Sequence, residues 1–599
     1  MARAHGQIRR SQVISTWGPG ALIDLPHHSG IVGGLDVAWP PPDRLEEIHE
    51  PRLASKLALL TGIQNPLLYT PPPDSTNPAE PKQGIGVYRF PQWMVVQEEA
   101  AGRTVGIRAR RLVHRTKLDH RGRLDTLSVV PTRFVRACPR GHIEDLDWYG
   151  FTHRKDKTCR RQLWLEERGT GGDLSDLVIR CECGETRTLS DASEVAQGSL
   201  GPCRGARPWL GNAPREVCGM PSRLLIRTAA NAHFPLVLSA LSLPEEATPV
   251  RDAVIGQWAI LQAVDGPQTL QAFRLVPTVA GALDGFSDAE VLAAIDALKA
   301  TDDIDERPVR LVELDALLAA PEGYEDDVPV NPDYHARRLR DAVWRAAPET
   351  DRLERVVQLH RLREVRALIG FTRFEAAVPD IHGEIDSDVT PAELALEPRW
   401  FPAVENRGEG LFFTLDRDAV AIWLARAPVR SRLNQLVAGH IRWAEQRQVK
   451  RAFPGGPFIL LHTLSHLLIG AVAMRCGYPA SSIRERIYVD YEQGHFGLML
   501  YTASPDAEGT LGGLVGQARH LAAHLRLALR AGGLCSNDPV CAQHSPAAGF
   551  EDRFLHGASC HGCTLIAETS CEMRNDYLDR ALVVPTLADD GAAFFDLST

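Results

Sequence analysis

The chain has 599 residues, 44% of them hydrophobic and 24% charged, enough for several cores and for about three to five domains. Its formal net charge of −10 excludes a protein that coats nucleic acid with its whole surface, and leaves only a local basic stripe for that purpose. No apolar run of about eighteen residues and no apolar stretch behind MARAHGQIRRSQV supports a membrane span or a signal peptide, so a cytoplasmic, membrane-free setting is expected. In a reducing compartment the twelve cysteines are read as metal ligands before they are read as disulfides.

The expected class is α+β with several domains. Residues 1–136 form a mixed, strand-rich segment, punctuated by turn and linker signals in WGPGALIDL, WPPPDRL and TPPPDSTNPAEPKQG. Its last part alternates basic with apolar residues in a strand-like pattern, and Arg108, Arg110, Arg111, Arg115 and Lys117 form a basic stripe that could neutralise DNA phosphates. An ordinary solvated strand face is the competing reading. Residues 137–245 are loop-rich and hold Cys138, Cys159, Cys181, Cys183, Cys203 and Cys218, together with His142 and His153. A region with so few apolar runs is expected to be stapled by metal. One partition places Cys138, His142, His153 and Cys159 in one site and Cys181, Cys183, Cys203 and Cys218 in another; a single site in which Cys138 joins the later cysteines is the alternative.

Residues 246–450 are expected to be mainly helical. SDAEVLAAIDALKA opens with a capping box formed by Ser287 and Glu290, and YHARRLRDAVWRA and ERVVQLHRLREVRALIGF continue a helical period. Residues 451–599 are mixed. A helix in PGGPFILLHTLSHLLIGAVAMRCGY lines Leu461, Leu464, Leu468 and Val472 along one face. The strand FGLMLYT follows, then the helix LVGQARHLAAHLRLALR, which ends at Gly532 and Gly533.

The densest thiol cluster lies near the C-terminus. Cys560 and Cys563 form a CxxC turn, which brings two sulfurs to one point, and a second pair must come from Cys535, Cys541 and Cys571, with Cys571 expected to open a helix in CEMRNDYLDRAL. An all-thiolate zinc leaves no position open for water, so a structural role is expected, with one to three zinc ions per chain overall. His462 and His466 in HTLSH have the i, i+4 spacing of a zinc peptidase, but Thr463 stands where that motif needs its glutamate, and only Asp490 or Glu492 offers a third ligand. Packed histidines are the favoured reading; a zinc-dependent hydrolase built on His462 and His466 is the rival function, and a zinc scaffold that binds only other proteins is the third. Cys476 reads as a core residue. A nucleotide motor is excluded by the lack of any GxxxxGK[ST], or indeed any Gly-Lys pair.

Several stretches, among them RRSQVISTWGPGALIDL, CPRGHIEDLDW, PCRGARPWL, PAVENRGEGLFF, LYTASPDAEGTLGGLV and CSNDPVC through SCEMRNDYLDR, resemble the DrmB proteins of bacterial DISARM anti-phage defence systems. The part from 453 to 585 is similar to the zinc-binding domain at the end of MrfA-type helicases, where a CxxC and an apolar stretch lead to an ending like Leu578, Asp579 and Arg580. That pattern implies Cys560 and Cys563 as ligands and does not cover Cys571. The resemblance also implies a non-enzymatic partner of a DrmA-like helicase, in a complex that binds DNA, single-stranded or as a tailed duplex, and acts with a DNA methyltransferase in defence.

Overall fold

The computed structural model describes residues 8–596 apart from 26–27, 74–83, 100–106, 155–157, 170, 195–197, 244–249, 251–252, 255, 301–306, 324–330, 332, 346, 386–389, 448, 505–512, 549–552 and 589–590. Its architecture is α+β, as expected. At the centre is a seven-stranded sheet in which Phe234–Leu241, Leu353–Thr372, Trp400–Leu415, His495–Ser504 and Ile483–Asp490 follow one another in antiparallel order. Tyr334–Arg338 pairs with part of the second of these strands, and Leu67–Tyr69 runs parallel to the third.

Both faces of this sheet are buried, and the alternation of side chains decides which layer each residue joins. Leu411, Phe413, Ile487, Val489, Leu498 and Leu500 pack toward the helix Gly456–Cys476. Their neighbours Phe412, Tyr488 and Met499 face Leu314 and Leu317 of the helix Val309–Leu318. Gly456–Cys476 is thus the central helix of the domain, buried on every side over most of its length rather than along the single face expected. It is the one helix among the described residues long and apolar enough to cross a membrane, yet its side chains are packed inside the protein.

The helical expectation for 353–372 is corrected: it is a strand of 20 residues. Its pairing slips between Leu353 and Arg355 and again between Leu359 and Leu362. Each bulge resets the two-residue alternation, and with both faces buried the apolar spacing comes to mimic a helix. YHARRLRDAVWRA likewise divides into the strand Tyr334–Arg338 and the short helix Asp341–Trp344. The middle region is helical on either side of these strands, over Pro267–Phe273, Asp288–Ala300 and Val309–Leu318, and again over Arg417–Ala425 and Ala427–Arg447. The capping box is present: the Ser287 N–H donates to Glu290 Oε2 at 2.8 Å and the Glu290 N–H to Ser287 Oγ at 3.3 Å.

A six-stranded antiparallel sheet is ordered Thr186–Thr188, Leu177–Cys181, Leu163–Glu167, Arg108–His114, Trp93–Glu99 and Val129–Pro131. A three-stranded sheet pairs Phe134–Ala137 with both Arg223–Ile226 and Ile143–Glu144. Sheets therefore run across the segment limits at 136, 245 and 450, because strand partners come from distant parts of the chain.

Candidate metal centres

Four side-chain clusters in the described residues bring Cys, His or Glu ligand atoms within 4.8 Å of one another. The first joins Cys138, His142, Cys203 and Cys218. Cys138 and His142 flank a turn in which the Cys138 N–H donates to the His142 carbonyl at 3.0 Å. His142 Nδ1 lies 3.3 Å from Cys138 Sγ, while its Nε2 lies 2.7 Å from Glu216 Oε2. A carboxylate behind the imidazole fixes the ring and its tautomer, as is common for metal-bound histidine. Gly141 closes the turn at φ +84°, and a Cβ there would come within 2.4 Å of Ala392 Cβ, so only glycine fits.

The turn is held from behind by Arg373, fully buried and donating to the carbonyls of Gly141 and Gly20, each at 2.8 Å, and to that of Ala232. An Arg373→Lys protein should lose about 2–4 kcal/mol in denaturant unfolding, because each hydrogen bond from a charged donor contributes about 1.5–3 kcal/mol and an ammonium cannot span the three carbonyls.

His153, Cys159, Cys181 and Cys183 make the second cluster. His153 Nδ1 faces the Tyr149 carbonyl at 2.9 Å, which leaves Nε2 aimed at Cys183 Sγ, 3.2 Å away. Cys159 and Cys181 are 3.7 Å apart. These two clusters overturn the partition expected from chain order: Cys138 with His142 takes the two last cysteines, and His153 with Cys159 takes the middle pair. Strand pairing is the reason. Ala137 lies opposite Arg223, which carries Cys218 to Cys138. Leu163 lies opposite Cys181, which carries Cys159 to the Cys181–Cys183 turn.

The third cluster, Cys535, Cys541, Cys560 and Cys563, resolves the competition among five C-terminal cysteines by leaving out Cys571. Cys535 and Cys560 are 3.4 Å apart, Cys541 and Cys563 3.8 Å, and the CxxC sulfurs 3.7 Å. Backbone N–H groups of Asn537 and Gly562 donate to Cys535 and Cys560 at 3.4 and 3.3 Å. Each of the three cysteine clusters biases one sulfur toward the thiolate, the form that binds metal. Cys203 is pushed down to about 4 and Cys563 to about 5, chiefly by hydrogen bonds from Cys138 and Cys541. Cys183 is lowered to about 7, chiefly by a backbone N–H bond at Glu185. Thiols and imidazoles in sets of four are the donor chemistry of structural zinc.

The residues after the CxxC pin this knuckle to the core. Arg580 is ion-paired with Asp538 and donates to the Gly532 carbonyl at 3.0 Å. Asp579 takes a bidentate pair from Arg432 at 2.7 and 3.2 Å and also accepts from the Ala558 N–H. Cys571 precedes turns, not the helix expected, and the only helix of that stretch is Arg580–Val583.

The fourth cluster holds His462, His466, Glu485 and Cys571. Asp490 and Glu492, the expected third ligands for the histidine pair, are not part of it: Asp490 Oδ1 closes a turn by accepting from the N–H groups of Glu492 and Gln493 at 2.9 and 3.0 Å. Sequence reasoning missed Glu485. A signal was present, since Glu485 shares its strand face with Ile483, Ile487 and Val489 and so puts an acid where the pattern demands an apolar residue.

The basic stripe divides between the two faces of its strand. Arg110 is paired with Glu167. Arg111 stands opposite Trp164, which in turn stands opposite Arg180, whose guanidinium lies 5.7 Å from the Trp164 ring centre. Arg108 and Lys117 are exposed, and Arg115 donates to Gln92 Oε1 at 3.4 Å.

Residues 464–564 match the MrfA Zn-binding domain, and residues 9–234 match a domain of unknown function (DUF8724). The DISARM protein DrmB of Bacillus paralicheniformis is 30% identical over 491 residues, covering 78% of this chain and 82% of that protein. With its cysteine knuckle inside the matched zinc-binding domain, the chain is a zinc-binding member of the DrmB family of DISARM proteins.

Proposed function

We propose that the protein is a non-enzymatic, cytoplasmic partner of a DrmA-like helicase, and that it contributes DNA binding and assembly to a DISARM defence complex. The observation that carries this reading is that each cysteine cluster presents four protein ligands. A zinc so enclosed has no position for water or substrate and acts as a staple. Family membership supplies the defence setting, and the lack of a P-loop lysine leaves ATP hydrolysis to the partner. A hydrolase centred on His462 and His466 gains no support from Asp490 or Glu492, which lie outside their cluster.

Of the basic residues, Arg108, Arg111, Arg115 and Lys117 are the proposed phosphate ligands; Arg110 already serves Glu167. Trp164 beside Arg111 adds an aromatic surface of the kind that single strands stack on. Co-purification with the helicase at physiological salt tests the partnership, and failure to associate would sink it. For DNA, the complex carrying Arg111→Ala, Arg115→Ala and Lys117→Ala should bind a tailed duplex more weakly. The slope of log affinity against log salt should become shallower by about 0.7–0.9 for every phosphate that the variant no longer neutralises. An unchanged slope would remove this strand from the DNA interface.

A further inference from the structure

We infer that His462, His466, Glu485 and Cys571 form a fourth metal site, a closed zinc centre at the heart of the C-terminal core and separate from the cysteine knuckle. Which atoms can donate a proton decides the matter. His462 Nδ1 faces the Tyr577 carbonyl at 3.3 Å and His466 Nδ1 faces the Thr564 carbonyl at 2.7 Å. A carbonyl only accepts, so both Nδ1 atoms carry the hydrogen, and in the neutral rings both Nε2 atoms present lone pairs.

Those lone pairs converge on two further acceptors. His462 Nε2 lies 3.1 Å from Cys571 Sγ and 3.2 Å from Glu485 Oε1, and His466 Nε2 lies 3.5 Å from Glu485 Oε2. Cys571 Sγ itself accepts from the N–H groups of Met573 and Asn575 at 3.4 and 3.1 Å, which orient its lone pairs. Glu485 is steadied by Ser465 Oγ and by the Glu572 N–H at 3.0 Å. His466 Nε2 is buried without a hydrogen bond.

Protonating His462 would give it an ion pair with Glu485 but would leave the lone pair of a neutral His466 Nε2 set against the Glu485 carboxylate, acceptor against acceptor. A dication satisfies all four atoms, and with one carboxylate, one thiolate and two neutral imidazoles the site carries no net charge, which is what burial requires. The residues are 0, 3, 1 and 9% exposed in the order named, so the site is closed. Two imidazoles, a carboxylate and a thiolate around one point suit zinc among the common metals. A cavity of about 460 Å³ is lined in part by Phe458, Glu485 and Cys571, on one side of the cluster. Through Thr564, next to Cys563, this centre is tied to the knuckle, and through Cys571 it fixes the segment leading to Asp579 and Arg580.

The test is an anomalous difference map at the zinc edge from crystals of the full chain, with elemental analysis of the same protein. A peak among the four ligand atoms, and four zinc equivalents rather than three, is the expected result. Peaks at the three cysteine clusters with none here would overturn the inference and leave a histidine–glutamate ion pair only. A Cys571→Ala protein that folds should lose one equivalent and keep the other three. If it keeps all four, the assignment is wrong, and should the variant fail to fold, the wild-type map decides alone.

Discussion

The Cys560→Ala/Cys563→Ala protein is expected to lose one zinc equivalent and to release residues 534–548 and 559–564 from the core while the central sheet stays folded. The knuckle has little of its own to hold it: Cys535, Cys560 and Cys563 are only half-buried, and the stretch around them is turns. Zinc binding amounts to about 10–16 kcal/mol in zinc-finger peptides, and that is the ceiling here. What remains without metal is the clamp by Asp579 on Arg432 and the Ala558 N–H, and the packing of Leu555, Tyr577 and Leu582 on the central helix. These interactions should limit the damage to local unfolding, so hydrogen exchange is the measurement. Protection should vanish over 534–548 and 559–564 and persist at Ala558, in Ile483–Asp490 and in Leu353–Thr372. Undiminished zinc in the variant would mean that the CxxC pair does not bind it.

How much of this was legible in the sequence depends on whether the deciding interaction is local. The CxxC turn, the capping box at Ser287 and the helix from Gly456 are local, and each lies where its residues place it. The choice between Cys571 and Cys541 was not local. Cys541 reaches the knuckle through the turn that begins with the Asp538 N–H bond to the Cys535 carbonyl, whereas Cys571 is drawn away to His462 on the central helix. The same holds for Cys138 and Cys218, whose meeting is a consequence of strand register. Spacing along the chain carries no record of register. Bulges hid the long strand at 353–372 for a related reason, since a period that resets no longer has the value two.

Replacing Glu313 by alanine should cost about 3–5 kcal/mol, because a buried ion pair with one partner removed leaves an uncompensated charge. Glu313 and Arg486 are 0 and 1% exposed in their side chains, and Arg486 meets the carboxylate with Nε at 2.8 Å and Nη2 at 2.6 Å. The same carboxylate accepts from the Leu241 N–H at 2.9 Å and the Tyr488 hydroxyl at 3.1 Å, so it joins the helix Val309–Leu318 to two strands of the central sheet. Glu313→Leu combined with Arg486→Met should recover most of the loss, since neither charge is then left alone. The two cases differ again in acid. Burial alone would raise the Glu313 carboxyl, but the charge of Arg486 prevails and holds it below its ordinary value of 4.5. Beside it Glu364, also opposed by burial, is drawn to about 2 by Arg484, Arg366 and Arg486. Carboxylates depressed in the folded state contribute stability above their unfolded value and lose it as pH falls toward the folded one. Wild-type stability should therefore fall between about pH 4.5 and 2, and the doubly substituted protein should fall less steeply there because one of the two carboxylates is gone. Equal acid sensitivity in urea unfolding of the two proteins would show that Glu313 is not ionised in the core.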